Sequence, residues 1–153
     1  VSLPPSLAYA FTAKVDIGAP LEVGAVGTGR RRIIPITGGS VSGPRLTARI
    51  LPGGADWQIV RQDGTAEVVA RYTLQAMDGT LISVTNTGVR RGPADVLARL
   101  AAGEAVDPAQ YYFRTTPVFE VAAGPHAWLG ETIFVATGER HEKQVVITVF
   151  AVD

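Results

Sequence analysis

The sequence predicts an all-β domain of antiparallel strands, a barrel or a sandwich, with one short helix. Three observations lead there. Glycine and proline, 17 and 10 of 153 residues, break the chain into short runs rich in β-branched and aromatic residues. Two Asp-Gly pairs, Asp63-Gly64 and Asp78-Gly79, each stand between alternating runs, a strong hairpin signal. Only one segment carries a helical apolar period.

Taken in order, the expected strands are Leu7–Ile17, Arg32–Thr37, Arg45–Leu51, Trp57–Gln62, Ala66–Met77 and Leu81–Val89, followed by Tyr111–Glu120, Thr132–Thr137 and Gln144–Val152. The helix is expected over Ala94–Ala102. Gly92-Pro93 opens it, Val96, Leu97 and Leu100 share a face, and Gly103 closes it. Asp107-Pro108 reads as a cap and first turn. No repeat or linker divides the chain, so residues 1–153 are expected to form a single domain.

The two Asp-Gly turns fix a register. As two-residue type I′ turns they set Asp56 opposite Arg71 and Arg71 opposite Asn86, a polar row across three strands. The other face then carries Trp57, Ile59, Val68, Ala70, Tyr72, Leu74 and Leu81. A type I turn with a glycine bulge uses similar residues and slips the pairing by one, which moves Arg71 to the Trp57 face. The row is either an exposed ion pair or the polar wall of a cavity.

Composition excludes several chemistries. At 46% hydrophobic and 18% charged residues the chain is globular. A formal charge of zero supplies no field for nucleic acid or an anionic membrane, so neither partner is expected. Without cysteine there is no disulfide, thiolate nucleophile or zinc–cysteine site. No apolar run approaches the ~20 residues of a membrane helix, no signal-peptide pattern appears, and the expected compartment is the cytoplasm. Gly24, Gly27 and Gly29 precede three arginines but lack the Lys-Ser/Thr and helix of a phosphate loop. His126 and His141 have neither metal-ligand spacing nor clustered carboxylates, and there is no nucleophile elbow or dinucleotide fingerprint. No metal and no cofactor are expected.

Candidate site residues remain. Asp56 and Trp57 follow Pro52-Gly53-Gly54, a turn that sets them at a strand mouth, where an apolar wall raises a carboxylate's pKa. In Tyr111-Tyr112-Phe113-Arg114, Tyr112 and Arg114 share one face. Trp128 is either a core plug or a wall for a ligand.

The run Gly29-Arg30-Arg31-Arg32-Ile33-Ile34-Pro35-Ile36-Thr37-Gly38-Gly39 resembles the opening of the family called domain of unknown function 3237. The resemblance continues through Gly43-Pro44, Leu51-Pro52-Gly53-Gly54-Ala55-Asp56-Trp57 and Ala70-Arg71-Tyr72-Thr73-Leu74. It resumes at Tyr112-Phe113-Arg114-Thr115, Pro117, Phe119-Glu120 and Trp128-Leu129. It implies a small antiparallel barrel similar to the calycin and allene-oxide-cyclase-like barrels, and no agreed activity. Val68-Val69 and His126 depart from the family's pattern, which has an acidic residue before Arg71 and a tyrosine at position 126.

The functional expectation is a barrel that holds a small aromatic or carboxylate-bearing compound. As a cofactor-free lyase, isomerase or cyclase it would use Asp56, Arg71 and Tyr72 for catalysis. Trp57, Asn86, Tyr112, Arg114 and Trp128 would line the ligand site. The alternatives are a ligand carrier or sensor, and an oligomeric scaffold. The apolar strand face is expected to be covered in a homo-oligomer.

Overall fold

The computed structural model describes residues 2–153. Its strands are β1 (Leu7–Ile17), β2 (Leu21–Val26), β3 (Gly29–Ser42), β4 (Ala48–Ile50) and β5 (Gly54–Val60). They continue as β6 (Ala66–Ala76), β7 (Leu81–Arg91), β8 (Tyr112–Glu120), β9 (Phe134–Arg140) and β10 (Gln144–Val152), with helix α1 over Ala94–Ala101. All ten belong to one antiparallel sheet. The ring runs β1, β10, β9, β8, β7, β6, β5, β3 and back to β1, an eight-stranded closed barrel. Short β4 bridges β3 and β6 beside β5, and β2 lies outside the ring on β3.

Closure depends on β3. Its first half pairs with β5 and its second half with β1, from Thr12–Ser42 to Ile17–Ile36. Gly39 enables the crossing, because its φ is +134° and a Cβ there would strike the Lys14 carbonyl.

The interior is layered. Along β6, Ala66, Val68, Ala70, Tyr72, Leu74 and Ala76 are buried while the alternate residues face outward. One end of the barrel is stopped by aromatic rings. Phe119 meets Phe11 at 5.8 Å and Phe134 at 5.1 Å, and Trp128 stacks edge-on to Phe134 at 5.8 Å. At the other end α1 buries Val96 and Leu100. Between these ends the lining becomes polar.

The helix matches the sequence reading to within a residue, as does the Asp107 cap, whose Oδ1 accepts from Ala109 N at 2.9 Å. The register does not. Asp56 lies opposite Ala70, Ala70 opposite Asn86, and Arg71 opposite Ala55 and Thr85. Both hairpins turn through a type I turn followed by a glycine with positive φ, +87° at Gly64 and +89° at Gly79. The Asp63 and Asp78 side chains take the amides of Thr65 and Thr80, which holds the extra residue in place.

The slip inverts the expected faces. Val68, Ala70, Tyr72 and Leu74 point inward, whereas Trp57 and Leu81 are exposed. The apolar outer face on which self-association was expected therefore does not form. Strand β2, not among the strands expected from the sequence, pairs with β3 from Leu21–Ile33 to Val26–Gly29. No helix among the described residues is long and apolar enough to cross a membrane.

Candidate functional site

The polar lining sits at the end of the barrel near α1. Register explains how it is assembled. Asp56 and Gln58 project from β5, Asn86 and Arg90 from β7, Arg32 from β3 and Arg140 from the end of β9. All but Arg32 border one interior cavity, together with Tyr72 and Phe113 and a wall that includes Val15, Ile34, Val68 and Ile147. The cavity is about 50 Å³, counted as the space open to the centre of a water molecule. An outer vestibule of about 480 Å³ adjoins it. Ile17 and Arg140 border both spaces, and Arg32 and the Leu100–Gly103 end of α1 line the vestibule.

A hydrogen-bond chain runs inward from the surface. Glu22 accepts from Arg32 Nε at 3.0 Å, and Arg32 Nη1 donates to Gln58 Oε1 at 3.3 Å. Gln58, 1% exposed, donates from Nε2 to Asp56 Oδ2 at 3.2 Å. Asp56 Oδ1 accepts the Val69 amide at 2.9 Å. Arg140 is anchored through its backbone, whose amide donates to Tyr111 Oη at 2.9 Å.

Three guanidiniums thus act on one carboxylate through space, without an ion-pair contact to it among the described residues, in a region of restricted hydration. Burial pulls Arg90 down to about 10, and repulsion from Arg140 adds to this against the attraction of Asp56. Burial also lowers Arg140, with Arg32 contributing. Desolvation raises the Asp56 carboxyl, only partly offset by the Val69 amide, Arg90, Gln58 and Arg32. The Tyr72 hydroxyl is pushed up by burial and stays protonated.

Two atoms in this lining are sealed from solvent with no partner among the described residues: Asn86 Oδ1 and Arg90 Nε. Buried polar groups are almost always paired, so these two unpaired atoms are a cost that the lining carries. The arrangement can hold an anion, stabilise negative charge that develops on a bound molecule, and exchange a proton through Asp56.

Of the residues read from sequence, Asp56, Tyr72 and Asn86 come together at this cavity. Arg71 does not: its side chain is exposed on the outer face, because the bulged turns slipped the register. Trp57 is 39% exposed and Tyr112 42% exposed, both outside the barrel. Arg114 stacks beside Tyr112 there, as does Arg91. Trp128 belongs to the aromatic plug, with Arg45 over its ring at 3.9 Å. The reading missed Arg32, Gln58, Arg90 and Arg140. A signal for Arg90 was available, since Ile82, Val84, Asn86, Gly88 and Arg90 share the inward parity of β7. Arg140 follows the expected end of its strand and carried no such signal.

Fold and lining define a closed antiparallel barrel with a cationic interior open at one end. The chain belongs to the family described as protein of unknown function DUF3237, whose model matches residues 5–152. It is similar to a conserved protein of unknown function from Rhodopseudomonas palustris, 41% identical, with a TM-score of 0.96 over 99% of this chain and 100% of that one. A beta-barrel like protein from Acinetobacter baumannii is 40% identical, with a TM-score of 0.87 over 100% and 99% of the two chains. An enzyme from Penicillium herquei shares the fold at 19% identity, with a TM-score of 0.74 over 100% and 98% of the chains.

Proposed function

We propose that this barrel is a cofactor-free catalyst of the lyase, isomerase or cyclase kind, acting on a small carboxylate-bearing or aromatic compound by proton transfer. The observation that carries the reading is the single desolvated carboxylate, Asp56, set among Arg32, Arg90 and Arg140. A carrier needs no desolvated carboxylate in its wall, and a scaffold needs no buried charge. Burying several charges costs several kcal/mol per ion unless a bound partner compensates.

In the proposed step the Asp56 carboxylate takes a proton from an acidic C–H of the ligand. The electron pair left behind moves onto the adjacent carbonyl oxygen, forming an enolate. Guanidinium N–H groups already in place stabilise that oxygen without reorganising. Return of the proton from the Asp56 carboxylic acid to a different position completes an isomerisation, and its return to the same carbon gives exchange. A carboxyl raised by burial suits the task, because its proton affinity lies nearer that of the working solution.

Phenylpyruvate carries a carboxylate, an aromatic ring and an acidic C–H, and serves as the probe. In deuterated water the protein is expected to speed deuterium entry at its benzylic carbon, and Asp56→Asn to abolish that effect. Binding without faster exchange, across enolisable aryl and alkyl keto acids, would return the barrel to a carrier.

A further inference from the structure

Asp56, Ala70 and Asn86 stand side by side on three neighbouring strands. Asp56 pairs with Ala70 across β5 and β6, Ala70 pairs with Asn86 across β6 and β7, and all three border the cavity. Two strand spacings separate the outer pair, about 10 Å between Cα atoms. Between them Ala70 offers only a methyl group, so a carboxylate and an amide stand on either side of a gap. Along β6, Val68 borders that gap on the α1 side and Tyr72 on the side of the aromatic plug.

Asn86 turns its donor to the gap. Its Oδ1 is sealed in the wall, so the amide borders the cavity through Nδ2, which bonds no described residue. An asparagine kept for the fold alone would bond its neighbours through both ends of its amide. The absence of charge at this position matters as well. A cation at the level of Asp56 would pair with the carboxylate and weaken it as a base, whereas a neutral N–H leaves its proton affinity intact. Arg90 leaves the backbone four residues nearer α1, opposite Ala66.

We infer that Asn86 is a second catalytic residue of this cavity, whose Nδ2–H donates to the substrate oxygen that gains charge as Asp56 takes the proton. This role rests on the proposed proton transfer and adds a neutral donor and the direction of the reacting unit. The C–H faces Asp56, the carbonyl oxygen faces Asn86, and the flat unit joining them lies over Ala70. As the C–H bond breaks, its electron pair forms the C=C bond and the carbonyl π pair moves onto oxygen. Asn86 keeps its own proton throughout. Its hydrogen bond strengthens as the charge grows, and the guanidiniums act on the same oxygen from the α1 end.

The test follows deuterium entry into phenylpyruvate, with kcat and KM for exchange measured on the whole chain. Asn86→Leu has a similar volume and no donor. It is expected to lower kcat by about 10²–10³ and to change KM by less than about threefold. Ala70→Val fills the gap from its floor and is expected to abolish exchange with the fold kept, so it decides the matter if Asn86→Leu does not fold. Exchange by Asn86→Leu at a wild-type kcat, with any loss confined to KM, overturns the role of Asn86 and leaves the proton transfer standing. Exchange that survives in a folded Ala70→Val does the same. No faster exchange by the wild type with any enolisable keto acid overturns both.

Discussion

The Asp56 carboxylate takes the backbone amide of Val69, on the neighbouring strand, at 2.9 Å. The bond falls where the β5–β6 ladder is interrupted, between the Asp56–Ala70 and Ile59–Glu67 pairs. Trp57, one residue along, gives its carbonyl to Arg31 Nη1 at 2.8 Å. A side chain thus stands in for part of the ladder and is fixed by it. That leaves Asp56 with one orientation, towards the cavity, a prerequisite for a proton-transferring group.

Replacing Asp56 by Asn keeps the shape and removes the proposed base. Turnover of any substrate found is expected to fall by about 10²–10⁴, with ligand affinity changed far less. A steady-state comparison checks this, and an unaltered kcat would assign the proton transfer elsewhere.

The pH dependence of stability has a definite sign. Burial holds the Asp56 carboxyl above the 3.8 of a free aspartate. The protonated form is thus the one the fold favours, so its contribution is full below 3.8 and is lost as pH rises through the folded-state value. Urea titrations from about pH 3.5 to about pH 7 are expected to show the wild type losing stability relative to Asp56→Asn. A gap that stays constant across the range contradicts the assignment.

Arg90 is a cost to the fold. Burial desolvates its guanidinium, repulsion from Arg140 adds to this against the attraction of Asp56, and its Nε is unpaired among the described residues. Arg90→Met is expected to leave the melting temperature unchanged or to raise it. A gain would fall in the range of about 1–4 kcal/mol found when buried charges give way to packed apolar groups. A melting temperature several degrees lower would make Arg90 structural.

Arg71 provides the contrast. Exposed on the outer face, it is expected to tolerate Arg71→Ala within about 0.5 kcal/mol and with ligand binding intact. Loss of binding in that variant would place a site on the outer surface.

Gly39→Ala is expected to destabilise by about 3 kcal/mol or more. It combines a strained φ with a collision against the Lys14 carbonyl, at the pairing that closes the ring. Denaturant unfolding measures it directly.

Much of this architecture was legible in the residues. Alternation located β6 and β10, and Gly103 and Asp107 marked the helix end and the following turn, since those are local signals. The cavity was legible only in part. Asp56, Tyr72 and Asn86 could be named from type and position, but their neighbours depended on whether each Asp-Gly turn spans two residues or carries a bulge. Local sequence does not decide that, and one residue of slip moved Arg71 to the outer face, whereas Arg90 shares the parity of Asn86 in either register. Arg32 and Arg140 arrive from chain segments remote from Asp56, which no spacing rule relates to it.

The aromatic plug turns the barrel into a dead-end tube. Whatever leaves must pass back by the Arg32 and Arg140 side chains it passed on entering, so arrival and departure share one doorway. On the proposed function, a product that keeps its carboxylate would be held by the same cations that drew the substrate in. Turnover on this scaffold would then be paced by escape, and accumulated product would compete directly with fresh substrate.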